Sequence, residues 1–171
     1  MKVYRRKKPM SDTIKVASKG FHPLTMRCTF QEEECIQKAA EISDLPMSNF
    51  VVLTLVESLN LTLGMSVFDD TPPRLRVGYQ WPFAPQRADG DSAKTRLNAY
   101  IPKFMIPAVA AAHFGVHLTL PAFTIGSALR GVAYLKIVNE RNKKLKNDMY
   151  QPEYEKLVVP YGFEDIVRSA K

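Results

Sequence analysis

Two short stretches of the chain alternate between apolar and polar residues, a pattern typical of a β-strand with one buried face. Residues 24–30 (Leu-Thr-Met-Arg-Cys-Thr-Phe) carry the first alternation, and residues 96–101 (Arg-Leu-Asn-Ala-Tyr-Ile) carry the second. Because a single short strand is not a stable sheet, we predict that the two strands pair with each other, antiparallel, as a ribbon.

Each strand pattern is followed by two helical patterns. In the first half, the helices are predicted from about residue 31 to Ile42, with Thr29 or Phe30 at the cap, and from Met47 or Ser48 to Leu63. In the second half, a short helix closes at Gly115 and a longer one, capped by Thr119, runs through Val138. The repeated order of strand, helix, break and buried helix predicts an internal structural repeat.

The fold class predicted from these patterns is mainly α, with one two-stranded antiparallel β-ribbon above a helical core. We expect the inward side chains of the ribbon to be Met26, Cys28, Phe30, Leu97, Ala99 and Ile101. We expect the outward side chains to be Thr25, Arg27, Thr29, Arg96, Asn98 and Tyr100.

The predicted organisation has five segments, of which the two strand-helix-helix units pack as one domain. They are a basic flexible arm (1–22), a first unit (23–64), a Pro-rich connector (65–93), a second unit with an extended helix (94–146) and a C-terminal tail (147–171). The tail is too apolar to be inert, so either it packs on the core or it docks a partner protein.

The excess of positive charge is confined to the N-terminal end of the chain, which points to a possible partner. The chain of 171 residues carries 24 Lys and Arg against 17 Asp and Glu, a formal charge of +7. Residues 1–27 contain eight of the basic residues and only one acid, Asp12, so the remainder of the chain sums to zero. A basic arm either binds nucleic acid or is a solvated tail that aids solubility.

The outward ribbon residues have the chemistry to read bases. A two-stranded ribbon fits the major groove of DNA, where Arg binds guanine and Asn binds adenine in bidentate fashion. The candidate base-reading residues are Thr25, Arg27, Thr29, Arg96, Asn98 and Tyr100. The candidate phosphate contacts are Arg5, Arg6, Lys7, Lys8 and Lys94, with Ser48 and Thr119 at the starts of the second helix of each unit. The same outward face could also be only the solvated side of a sheet.

These residues resemble the ribbon-helix-helix DNA-binding family of the MetJ/Arc type. The similarity lies in the alternating residues 97–101 followed by Pro102, in the matching residues 26–30, and in Ser48-Asn49-Phe50 and Thr119 to Phe123. Two unlike units in one chain are similar to the tandem single-chain form found in the virulence C operon of Agrobacterium. That resemblance implies a single-chain pseudo-dimer that binds duplex DNA and assists a relaxase or another DNA-transfer protein, within the bacterial cytoplasm.

Other functions are kept as alternatives. A transcriptional repressor would use the same fold, and a protein-interaction adaptor would use the ribbon face and the tail on a partner. The sequence has no recognisable catalytic motif, so we expect no enzyme activity, no cofactor and no metal. No apolar run reaches the roughly 18 residues that a membrane-spanning helix needs, so we expect no membrane contact. We expect the chain to act as a monomer or in a side-by-side assembly on DNA.

Overall fold

The computed structural model describes residues 20–63 and 95–158, which form a mainly helical structure with one two-stranded antiparallel sheet. The elements are β1 (Phe21–Cys28), α1 (Phe30–Ile42), α2 (Met47–Leu63), β2 (Thr95–Pro102), α3 (Ile106–Gly115) and α4 (Leu120–Lys144), with 3-10 segments at Lys103–Met105 and Pro152–Lys156. The predicted antiparallel pairing and the four predicted helices are confirmed. The connector (65–93), most of the arm and the end of the tail lie outside the described residues.

The ribbon covers the core with one face, as its alternation predicts. The side chains that are nearly or fully buried on this face are Leu24, Met26, Cys28, Leu97, Ala99 and Ile101. The strand begins earlier than predicted, because Phe21 and His22 belong to β1 and not to the arm. The prediction that Phe30 points inward is wrong, since it is the first residue of α1 and is 66% exposed.

A capping box ends β1 and starts α1. The amide of Glu32 donates to Thr29 Oγ1 (3.1 Å), and the amide of Thr29 donates to Glu32 Oε2 (2.8 Å). These bonds satisfy backbone N–H groups that have no partner within the helix. Thr29 is therefore the N-cap residue of α1, and its predicted place on the outward face of the ribbon is wrong.

The turn between the two helices is the same in both units. Asp44 and His117 each adopt a left-handed backbone conformation, with φ of 53° and 56°. The chain bends by 94° between α1 and α2 and by 91° between α3 and α4. One amide bonds back across each turn in the same way: Leu45 N to Ala40 O (2.9 Å) and Leu118 N to His113 O (3.0 Å).

Equivalent positions in the two units are 73 residues apart, the separation between Thr25 and Asn98. This offset relates Asp44 to His117, and it also relates the first residue of α2, Met47, to that of α4, Leu120. The same offset therefore relates the turns and the starts of the second helices in the two units, whereas the counterpart of the start of α1 is the 3-10 segment Lys103–Met105.

The second helices of the two units, α2 and α4, cross closely at Gly131. A Cβ atom at this position would lie 2.2 Å from Cγ2 of Thr54, which is closer than real Cβ contacts come. The hydroxyl of Thr54 donates to the carbonyl oxygen of Phe50 (3.0 Å), and the equivalent Ser127 donates to that of Phe123 (2.7 Å). The close crossing explains a helical glycine that otherwise costs stability.

The described part of the tail packs on the core. Leu157 is 1% exposed, and its carbonyl oxygen accepts a hydrogen bond from Lys136 Nζ (2.5 Å). The amide of Gln151 donates to Asn139 Oδ1 (2.8 Å). Residues 159–171 lie outside the described residues, so docking of a partner by that part stays a prediction.

No individual helix in the described ranges is long and apolar enough to cross a membrane. Two pairs of helices are long and apolar enough only when the two members are taken together, and each pair is sharply bent. The pairs are Phe30–Ile42 with Met47–Asn60 and Lys103–Gly115 with Leu120–Lys144.

Candidate nucleic-acid interface

The outer face of the ribbon brings together five of the six predicted base-reading residues. Thr25 lies directly opposite Asn98, Arg27 lies opposite Arg96, and Tyr100 lies opposite Pro23. These five side chains and Pro23 are all exposed. The sixth predicted residue, Thr29, lies at the helix cap beyond the strand.

Thr25 and Asn98 form the centre of this face. The hydroxyl of Thr25 donates a hydrogen bond of 2.9 Å to the amide oxygen Oδ1 of Asn98. An amide oxygen has two lone pairs and the amide nitrogen has two N–H groups. Asn98 therefore keeps an acceptor and both donors for a base edge, while Thr25 holds the plane of the amide group.

The two arginines form one end of the face, which we call the arginine end (Arg27 and Arg96). Residues directly opposite on an antiparallel pair have Cβ atoms about 4.5–5.5 Å apart, and like charges at such positions destabilise a sheet. Both guanidinium groups lie on the outward face, and each guanidinium matches the closely spaced acceptors O6 and N7 of a guanine.

The opposite end of the face is apolar, and we call it the apolar end (Phe21, Pro23 and Tyr100). Phe21 is 41% exposed and Tyr100 is 43% exposed. Phe21 continues the outward alternation of β1 and pairs with Pro102, the last residue of β2. The alternating pattern predicts a strand that begins at Leu24, so it does not place Phe21 and Pro23 on this face.

The start of α2 differs from the prediction. The first hydrogen bonds of this helix end on the carbonyl oxygen of Pro46, from the amides of Asn49 (2.9 Å) and Phe50 (3.0 Å). Pro46 therefore occupies the cap position, and the helix begins at Met47, one of the two predicted starts. Ser48 lies in the first turn, where backbone N–H groups point away from the helix.

The start of α4 has the predicted cap. Thr119 Oγ1 accepts a hydrogen bond from the amide of Ala122 (3.3 Å). Pro121 has no N–H group, and the N–H of Ala122 is already directed to the cap. This helix start therefore offers a phosphate fewer N–H groups than the start of α2.

The other phosphate candidates, Arg5, Arg6, Lys7, Lys8 and Lys94, lie outside the described residues. Their predicted contacts with phosphate therefore stay predictions from the sequence.

A separate concave feature lies between α2 and α4, away from the ribbon residues. It has a volume of about 450 Å³ and is lined mainly by apolar side chains, including Leu45, Phe50 and Leu135. Arg130 also lines it, is 3% exposed and donates to the hydroxyl of Ser58. No local pattern in the sequence indicates this buried polar contact, since its partners are 72 residues apart.

Cys28 and Cys35 are both buried and are free thiols, and the inward position predicted for Cys28 is confirmed. Burial, reinforced by the carboxylate of Glu34, raises the pKa of Cys35 above its usual value, which disfavours the reactive thiolate. Within residues 20–63 and 95–158, no group of three His, Cys, Asp or Glu side chains is placed to hold a metal ion.

Comparison of the chain with protein-family models, with curated proteins and with solved structures finds no match.

Proposed function

We propose that this protein binds double-stranded DNA in a sequence-specific manner by inserting the outer face of the β1–β2 ribbon into the major groove. Paired strands are about 4.8 Å apart, and the groove is about 12 Å wide, so a ribbon with its side chains fits. The single observation that carries the proposal is the row of directly opposed polar side chains, Thr25 with Asn98 and Arg27 with Arg96.

The proposed fold is a single-chain pseudo-dimer of the ribbon-helix-helix type. It is supported by the constant offset of 73 residues, by the matched left-handed residues Asp44 and His117, and by the pairing of Thr25 with its own equivalent, Asn98. A strand that pairs with its equivalent about a central residue has the arrangement expected of a two-fold dimer.

The proposed contacts with the DNA backbone come from two sources. The backbone N–H groups in the first turn of α2 favour an anion, and the basic arm supplies charge. Contacts of this kind position the protein on the duplex, while the ribbon residues specify the sequence.

The proposed role within the cell is that of an accessory factor in DNA transfer, binding beside a relaxase near a transfer origin. It rests on the resemblance to the tandem form of the family. Control of a promoter is the alternative, because both kinds of site present the same groove. The locus that the protein binds decides between them.

The test is capture of fragments from the host genome and its mobile elements by the full chain, followed by sequencing. An Arg27→Ala/Asn98→Ala double variant is the ribbon control, and Lys156→Ala removes an exposed charge outside the ribbon. We expect enrichment of a discrete locus with the wild type and Lys156→Ala, and its loss in the double variant. Enrichment that the double variant retains would contradict the proposal, and so would no enrichment at all.

A further inference from the structure

The two units carry different residues at every outward position of the ribbon. With the offset of 73 residues, Pro23 is equivalent to Arg96, Thr25 to Asn98, and Arg27 to Tyr100. In a symmetric dimer, both ends of the ribbon would present the same side chains. Here the arginine end carries two cations, whereas the apolar end carries two aromatic rings and a proline.

The two ends lie far enough apart to contact different base pairs. Positions 23 and 27 are four residues apart on β1, a distance of about 13 Å along an extended strand. Successive base pairs are about 3.4 Å apart along the duplex, so the two ends are roughly four base-pair steps apart. The arginine end and the apolar end would therefore contact different base pairs.

The two ends also have different preferences. A guanidinium has only donors and pairs with guanine, which presents two acceptors in the major groove. Adenine presents a donor beside its acceptor and cannot accept both N–H groups. The rings of Phe21, Pro23 and Tyr100 offer apolar surface, whose partner in the major groove is the methyl group of thymine.

We propose that the ribbon reads a directional DNA site, with guanine at the arginine end and thymine at the apolar end, and that this difference fixes the orientation of the chain on the duplex. The inference rests on the proposed function. Asn98, held by Thr25 between the two ends, selects adenine at the centre. A second protein bound beside the site would then always face the same unit.

The experiment is selection of randomised duplexes by the full chain, with sequencing of the bound pool. Two double variants are selected in parallel. Arg27→Gln/Arg96→Gln removes the cations at exposed positions and keeps polar side chains there. Pro23→Arg/Tyr100→Arg places an arginine pair at the apolar end and so makes the two ends alike. Circular dichroism and thermal melting establish that each variant is folded.

The wild type should select a motif with guanine at one end only, and replacing that guanine should weaken binding about 5- to 150-fold. The Arg27→Gln/Arg96→Gln variant should lose the preference, and the Pro23→Arg/Tyr100→Arg variant should select guanine at both ends. If Pro23→Arg/Tyr100→Arg does not fold, the result for Arg27→Gln/Arg96→Gln is sufficient to test directional reading.

Two results would overturn the inference. A wild-type motif that is identical at both ends, or a guanine preference that persists in Arg27→Gln/Arg96→Gln, would refute directional reading and leave DNA binding intact. Absence of any selected motif with the wild type would refute the proposed function itself, and the inference with it.

Discussion

Thr25 and Asn98, 73 residues apart in the chain, lie directly opposite each other on the ribbon and are joined by a 2.9 Å hydrogen bond from the Thr25 hydroxyl to Asn98 Oδ1. They are equivalent residues of the two units, so the centre of the ribbon passes between them. In a two-fold dimer these positions would hold the same residue. Here they hold an amide group and the hydroxyl that donates a hydrogen bond to it.

This relationship predicts unequal and coupled effects of mutation. Asn98→Ala should remove about 1–3 kcal/mol of discrimination between the selected duplex and a scrambled one. Thr25→Val keeps the β-branched shape and removes the hydroxyl, so it should reduce the same discrimination by about 1 kcal/mol. The Thr25 effect should vanish when Asn98 is Ala, which a double-mutant cycle of dissociation constants measures. Independent, additive losses would show that Thr25 does not position Asn98.

The capping role of Thr29 predicts a loss of stability without a loss of base reading. Thr29→Ala removes the acceptor for the amide of Glu32 and should lower the free energy of unfolding by about 1 kcal/mol. Denaturant unfolding measures this change. Discrimination between selected and scrambled duplexes should stay at the wild-type level. A stable variant with weakened discrimination would return Thr29 to the set of base-reading residues.

The helix crossing predicts a destabilisation that a second change relieves. In Gly131→Ala the new methyl group meets Cγ2 of Thr54, so unfolding free energy should fall by about 1–3 kcal/mol. Thr54→Ser removes that methyl group and keeps the hydroxyl that bonds the carbonyl oxygen of Phe50. The double variant should therefore be more stable than the sum of the single effects predicts. Strict additivity would mean that the two groups do not meet.

The C-terminal segment predicts a dependence on acid. Glu155 accepts hydrogen bonds from Lys143 Nζ and the Tyr150 hydroxyl (2.7 Å), which lower its pKa from the usual 4.5. A lowered pKa in the folded state means that the contact stabilises the segment above pH 4.5 and is lost as the pH falls through the folded value.

A carbon-13 NMR titration of the Glu155 carboxyl group tests this relationship. The midpoint in the folded chain should lie below the midpoint in the chain unfolded by urea, and Lys143→Met should raise the folded midpoint. Equal midpoints in the two states would contradict the contact.

The basic arm predicts the salt dependence of DNA binding. Deletion of residues 2–8 removes five basic residues. The slope of log K against log salt should flatten by about 0.9 for each of them that contacts a phosphate. Titrations of one duplex at several salt concentrations give the slope. An unchanged slope would show that the arm makes no phosphate contact.

The sequence was sufficient for the faces of the ribbon but not for its register or its ends. Alternation with a period of two places Met26 and Leu97 on the inward face. A shift of the register by two residues would leave them on that face. The equivalence of Thr25 with Asn98 depends on the register and therefore appears only in the folded chain. At Thr29 the local capping box with Glu32 prevails over the alternation, so the strand ends at Cys28 and Phe30 turns outward.

Contacts between residues that are distant in the chain could not be predicted from the sequence either. The bond between Arg130 and Ser58 and the contact of Gly131 with Thr54 join two helices that no local pattern aligns. Only the structure identifies the methyl group of Thr54 that Gly131 accommodates.

The most direct test of the central claim is the dissociation constant of the full chain for its selected duplex and for a scrambled duplex of the same composition, at one salt concentration. The measurement is made for the wild type, Arg27→Ala/Asn98→Ala and Lys156→Ala. If the ribbon reads bases, the double variant loses affinity for the selected duplex by more than for the scrambled one, and Lys156→Ala keeps the wild-type ratio. An equal loss of affinity for both duplexes would contradict base reading by the ribbon.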